Sequence, residues 1–195
     1  MATRGPYAKG LAKREEILDA AVELYARDGY DRTSVREIAR ATGLSQAGLL
    51  HHFSGKEELF AEVLRRRDAV AEARYNADAG APVSVEGLIS TVSHNLEEPQ
   101  LVQLFVTMSS ESMDPASPGH SFFAERYKRL VGDVTEDMRR LQEAGQLSRA
   151  LAPEAMASLL IAAADGLQIQ WLLNPAGLDM GERLTELWEA MKQVR

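Results

Sequence analysis

Cysteine is absent from the 195 residues. Disulfides, thiolate metal sites and thiol nucleophiles are therefore excluded, and the chain suits a reducing cytoplasm. No apolar run approaches the roughly 20 residues that a bilayer span needs, so no membrane partner is expected. The opening MATRGPYAKGLAKREE has basic residues with no hydrophobic stretch behind them, which does not fit a secretory signal. Runs of alternating apolar and polar residues, the mark of strands, are missing too, so an all-α chain is expected. Nor is there excess positive charge. The balance is 22 basic against 29 acidic residues, net −7, which argues against a nucleic-acid partner unless the charge is unevenly spread.

It is unevenly spread. Residues 1–68 carry twelve Lys or Arg against eleven Asp or Glu, and the remainder ten against eighteen. Arg4, Lys9, Lys13 and Arg14 all precede the first acid, Glu15. An acidic body behind a near-neutral N-terminal part would be repelled by phosphates and would stand away from DNA. The plainer reading is chance variation among solvated faces. With 45% apolar residues the chain has enough material for a core, and its length fits one domain or two small ones sharing helices.

Helical spacing predicts about nine helices. The first covers residues 13–28, with Ile17, Ala21 and Leu24 on one face and Gly29 as its C′ residue. A short second helix covers 34–41, where Ser34 and Glu37 have capping-box spacing and Thr33 competes as cap. Gly43 breaks it. Ser45 caps a third helix, QAGLLHHF. Ser54 with Glu57 caps a fourth that runs to about residue 76 and carries Leu59, Phe60, Val63 and Leu64. NADAGAP, 76–82, reads as a break. Further helices are expected over 84–95, 99–112, 122–144 and 153–173, and from Asp179 onward. The loop DPASPGHS, Gly145 and Asn174-Pro175 separate them.

The stretch TGLSQAGLLHHFSGKEEL, 42–59, invites several chemistries. A phosphate loop fails twice: Glu57 follows Gly55-Lys56, and Leu50 stands where the earlier glycine is required. His51 and His52 are adjacent, so on a helix they point about 100° apart and do not chelate one ion. A GxSxG elbow does not occur, because Gln46-Ala47 follows Ser45. No catalytic residue, metal or cofactor is expected.

A helix-turn-helix does fit. Two short helices flank TGL, and Ile38, Ala39, Leu44, Leu49 and Phe53 are apolar where packing on the first helix demands it. Gln46, Ala47, Gly48, His51 and His52 are left outside, an acid-free face of small or hydrogen-bonding residues. Small side chains let such a helix enter the major groove, and Gln46 is able to pair bidentately with adenine. Thr33, Ser34, His52 and Lys56 are typed for phosphates, with Arg36 and Ser45 beside them.

Here the chain resembles the TetR family of one-component transcriptional regulators. The family pattern is roughly T-x-x-x-I-A-x-x-A-G-V-S-x-G-x-L-Y-x-H-F-x-x-K-E-x-L. This sequence reads Ser34-Val-Arg-Glu-Ile38-Ala39-Arg-Ala41-Thr-Gly43-Leu44-Ser45, then Leu49-Leu50-His51-His52-Phe53-Ser-Gly-Lys56-Glu57-Glu-Leu59. The motif covers about a quarter of the chain. Asp165-Gly166-Leu167 ahead of Trp171-Leu-Leu-Asn-Pro175 also resembles the penultimate helix of many members. Two departures stand out: Leu50 replaces the family tyrosine whose hydroxyl meets the DNA backbone, and Ala47 replaces a glycine. Leu50 is unable to donate that hydrogen bond, so either the phosphate contact is lost or His51 supplies it. The resemblance implies a DNA-binding domain over 1–56 and a helical ligand-binding and dimerisation domain over 57–195.

The residues support part of that implication. The helix over 153–173 is apolar nearly all round and should be buried on most sides. Leu160, Ala164 and Leu167 on it, with Leu184, Leu187, Trp188 and Met191 on the last helix, make a candidate four-helix interface between two copies. Burial of all seven within one copy is the alternative. Two half-sites on DNA call for two-fold symmetry in any case, with recognition helices roughly 34–36 Å apart. Phe105, Met108, Phe122, Tyr127, Gln168 and Trp171 are candidates for the wall of a pocket, with Asp165 as a polar contact, although aromatics and methionines at helical spacing are more often plain core. A small, largely apolar effector is expected.

The leading expectation is a homodimeric repressor that binds a palindromic operator and is released by that effector. An all-α enzyme or carrier whose pocket is its whole function is the rival from another class. A DNA-binding activator without an effector shares every feature quoted.

Overall fold

The computed structural model describes the backbone of residues 6–75 and 82–193, and the side chains of residues 9–66 and 82–193. Among the described residues there are nine α-helices and no strand. They are α1 (Pro6–Asp28), α2 (Val35–Ala41), α3 (Gln46–Leu50), α4 (Lys56–Tyr75), α5 (Val85–His94), α6 (Pro99–Glu111), α7 (His120–Glu143), α8 (Pro153–Leu173) and α9 (Met180–Gln193). A 3-10 turn, Asn95–Glu97, joins α5 to α6 and was not anticipated. Arg4 and all but the last residue of the break expected at 76–82 lie outside the described residues.

The chain forms two compact units, one of residues 1–68 with 103–121, the other of 69–102 with 122–195. The first unit therefore extends past the boundary at 56 that the motif suggested. The early turns of α4 belong to it because Leu59, Phe60, Val63 and Leu64 are buried. Phe60 meets Tyr25 edge-on, with ring centroids 5.5 Å apart, and Tyr30 at 4.7 Å.

In this unit α1 begins seven residues earlier than apolar spacing predicts. Pro6 opens it, a position where the missing N–H costs nothing. Its buried face is Ile17, Leu18, Ala21 and Tyr25, with Leu24 only half-buried, because a 3.6-residue turn carries the stripe on to 25. The helix stops at Gly29, whose φ is +80° and whose N–H donates to the Tyr25 carbonyl at 2.9 Å. A side chain at 29 would also push aside the Glu111 carboxylate, because its Cβ would lie 2.3 Å from Oε1. Glu111, at the end of α6, accepts the next backbone N–H, that of Tyr30, at 2.8 Å.

The other unit is built on α5, α7, α8 and α9. Val85, Val134, Met138, Leu160, Leu184 and Trp188 are among its buried residues. Gly181 of α9 lies against Ser93 of α5, where a Cβ would be 2.1 Å from Oγ. One expectation is corrected here: α8 is long and apolar enough, by length and composition, to cross a membrane. Its inner face explains that composition, since Met156, Ala157, Leu160, Ile161, Ala164 and Trp171 are all buried in the unit's own core.

Candidate nucleic-acid interface

The two short helices are set by their caps. Ser34 is the N-cap of α2, and the box expected from its spacing is closed. Its hydroxyl oxygen accepts from the Glu37 N–H, while Glu37 accepts from the Ser34 N–H at 2.8 Å and from its hydroxyl at 2.7 Å. These bonds hold the Glu37 carboxyl below its usual range. The second expected box is off by one residue. Ser54 N–H donates to Glu58, not Glu57, at 2.6 Å, because α4 starts at Lys56 and puts Glu58 in its first turn facing back.

Between the two helices the chain turns at Gly43, with φ +67°. Leu44 N–H donates to the Ala39 carbonyl at 2.8 Å and Gly43 N–H to Arg40 at 3.2 Å. That pair of bonds is a Schellman motif, and it fixes the exit direction of α2. Ser45 then caps α3 by accepting from the Gly48 N–H at 3.0 Å. The third helix is shorter than QAGLLHHF suggests. It ends at Leu50, and the His52 and Phe53 N–H groups both donate to the Leu49 carbonyl, so the two histidines sit in a tight turn.

Ile38, Ala39, Leu49 and Phe53 are buried, and Leu44 is half-buried. On the opposite side Ser45, Gln46, Ala47, Leu50 and His51 are exposed, with Gly48 and His52 half-buried. Glu37 is the one acid between Thr33 and Lys56, and its carboxylate is taken up in the cap. The exposed face of α3 thus carries no negative charge.

The flanking groups divide. Ser34 and Arg36 are exposed. The Lys56 ammonium lies 4.1 Å from the centroid of the Tyr30 ring and 3.5 Å from the Asp31 carbonyl. The early basic residues are partly spent inside the unit. Lys13 donates to the Thr42 carbonyl at 2.8 Å, and Arg14 donates to the His52 carbonyl and covers the Phe53 ring at 4.0 Å. Thr33 is a correction. It is 1% exposed and its hydroxyl donates to the Gly29 carbonyl at 2.8 Å, so it serves the α1–α2 turn and faces no phosphate.

The residues suggested for a dimer interface need correction as well. Leu160, Ala164, Leu184, Trp188 and Met191 are buried in the core of their own unit, with Leu167 and Leu187 partly buried against it, because α8 packs on α9 of the same chain. The apolar residues left open on α8 are others: Leu159, Ile169 and Leu173 at 57%, 50% and 83% exposure, with Ala162 exposed and Gly166 between them. Their spacing of 3, 4, 3 and 4 is visible in the sequence, but so is a helical spacing on the buried side of α8.

The pocket candidates fall in both units. Phe105 and Met108 are buried in the unit that holds α3. Phe122, Tyr127, Asp165, Gln168 and Trp171 belong to the other. There the Tyr127 hydroxyl donates to Asp165 Oδ2 at 2.7 Å. Gln168 is buried, and its Oε1 has no hydrogen-bond partner among the described residues. Trp171 lines an open groove of about 500 Å³ with Leu96, Pro175, Leu178, Asp179 and Glu182. Among the described residues no cluster of His, Asp or Glu is arranged to hold a metal ion.

Two capped helices, a glycine turn and an acid-free outer face define a helix-turn-helix DNA-binding protein. Comparison with known proteins agrees. Residues 17–63 match the N-terminal model of bacterial regulatory proteins of the tetR family, and residues 95–191 match the C-terminal model of BetI-type transcriptional repressors. The HTH-type transcriptional repressor Rv1474c of Mycobacterium tuberculosis is 30% identical over 162 residues, 80% of each chain. The repressor AcnR of Corynebacterium diphtheriae is 27% identical over 91% of this chain and 90% of its own. A transcriptional regulator from Saccharomonospora viridis, solved in complex with choline, superposes with a TM-score of 0.73 at 27% identity, over 92% of this chain and 96% of that one. The chain belongs to the TetR family and is a DNA-binding transcriptional regulator of the repressor kind, not an enzyme.

Proposed function

We propose that two copies of this chain bind a palindromic operator and that a small effector releases them. The observation that carries the reading is the exposed, acid-free face of α3, presented by a capped helix-turn-helix. Gln46 would read a base edge, and Ser34, Arg36, Ser45, His51, His52 and Lys56 would line the phosphates on either side. The acidic remainder of the chain, ten basic against eighteen acidic residues, would stay off the DNA.

The copies would pair through the open side of α8. Leu159, Ala162, Gly166, Ile169 and Leu173 repeat with the 3-4 spacing of a helix seam, and the small residues in the middle let two backbones approach. The buried side of α8, with α9 behind it, would hold the seam rigid.

For the effector, Tyr127, Asp165 and Gln168 supply polar groups on helices that carry the apolar core of their unit. The Gln168 oxygen, without a partner among the described residues, favours a mostly apolar ligand that carries a hydrogen-bond donor. The choline complex of the Saccharomonospora viridis protein makes small organic molecules the class to screen first. An effector must bind the DNA-incompetent state better than the competent one, and operator DNA must then weaken effector binding by the same factor. The site of action is the cytoplasm, where the chromosome is.

Selection of bound duplexes from a random pool tests the proposal, repeated with candidate effectors present. A palindromic consensus that is lost with one effector is expected. A consensus with no two-fold symmetry would overturn the dimeric reading.

A further inference from the structure

Leu50 is the unusual member of the recognition face. It is 40% exposed, whereas Leu49 beside it is fully buried. It follows Ala47 by three residues and Gln46 by four, so all three share one side of α3. A leucine there has no donor for a phosphate, and contact with a charged backbone would desolvate the phosphate without return. In the major groove the apolar group on offer at a base edge is the thymine methyl.

We propose that Leu50 reads a thymine methyl, so that this protein selects an A·T pair by apolar contact where a polar side chain would have bound backbone. The inference rests on α3 lying in the major groove. Along a helix, four residues advance about 6 Å. Base pairs stack about 3.4 Å apart along each strand. The thymine read by Leu50 therefore lies within about two base pairs of the position read by Gln46. An adenine under Gln46 brings its own paired thymine into the same stretch of groove. Ala47, small and exposed between the two, leaves the leucine room to reach the floor.

Deoxyuridine lacks only the methyl. The experiment replaces each thymidine of one half-site of the selected operator, in turn, and measures Kd by fluorescence anisotropy for the wild type, Leu50→Ala, Leu50→Tyr and Ala47→Gly. At one position near the Gln46 contact the wild type should lose about fourfold, the factor for about 0.8 kcal/mol per buried methyl. Leu50→Ala should bind the thymidine operator more weakly and show no loss with deoxyuridine. Leu50→Tyr should regain affinity with an unchanged salt dependence, since a neutral hydroxyl releases no counterion, and stay insensitive to the methyl. Deoxyuridine that costs the wild type nothing at every position overturns the proposal. So does a loss that persists in Leu50→Ala or vanishes only in Ala47→Gly. Failure to select any specific duplex would instead sink the operator-binding reading. Leu50 is half in solvent, and melting curves for the variants check that each is folded.

Discussion

Tyr25 lies at the centre of the unit that carries the recognition helix, and its hydroxyl has no hydrogen-bond partner among the described residues. Burial pushes this phenol well above its ordinary value, and that of Tyr30 up to about 12. Both groups are therefore neutral in the folded state at pH values where the unfolded chain, near 10, has begun to ionise. The folded state then holds more protons, and stability falls as pH rises through 10 toward 12. Tyr25→Phe should be neutral or stabilising at pH 7, because it removes a buried group without a partner. It should also flatten the alkaline decline of the urea midpoint. An unfolding free energy that drops by several kcal/mol at pH 7 would show that the hydroxyl has a bound partner. Two substitutions at proposed DNA contacts act differently. Gln46→Ala should cost about 1–3 kcal/mol and relax preference at one base position, as selection from a random pool would reveal. Lys56→Ala should weaken all duplexes alike and flatten the salt slope by about one unit, which titration at several salt concentrations measures.

Among elements, the turn between α2 and α3 bears the most weight. Gly43 has φ +67° and no neighbour within 4 Å of where a Cβ would stand, so conformation alone demands glycine. Gly43→Ala should cost about 1–2 kcal/mol in thermal or urea unfolding, and should lower operator affinity further if the turn relaxes and re-aims α3. Helix α8 has two faces with opposite expected behaviour. Leu160→Ala empties a site in the core and should cost about 2–5 kcal/mol of stability. Ile169→Glu touches no core, so the folded chain should survive it while the proposed dimer is lost, an outcome read by sedimentation. Equal losses of stability from both would mean that α8 has no free face.

At the scale of the molecule, charge and function are divided along the chain. Residues up to 68 are near neutral and contain the whole helix-turn-helix, and the acids are concentrated beyond. Net charge alone pointed away from DNA, yet on the reading face what counts is that one acid lies between Thr33 and Lys56, and a cap absorbs it. The compact units do not follow the order of the sequence. Residues 103–121 complete the unit begun by residues 1–68, and Glu111 from that segment accepts the Tyr30 N–H at the end of α1.

The helices, their caps at Ser34 and Ser45, and the stops at Gly29, Gly43 and Gly145 were legible in the sequence, because each depends on bonds within five residues or on a backbone angle that glycine alone takes freely. The family motif was legible for the same reason, being one continuous stretch. What no local pattern fixed was which apolar side of α8 the core would take. Leu160 and Leu159 are the same residue type one position apart, and packing against α9 buried the first and left the second open. Thr33 was misread on similar grounds, since a threonine before a helix looks like a cap until the turn around Gly29 claims its hydroxyl. Local hydrogen bonding wrote the elements. Which faces were hidden depended on contacts between residues far apart in the chain, and tertiary packing alone decided it.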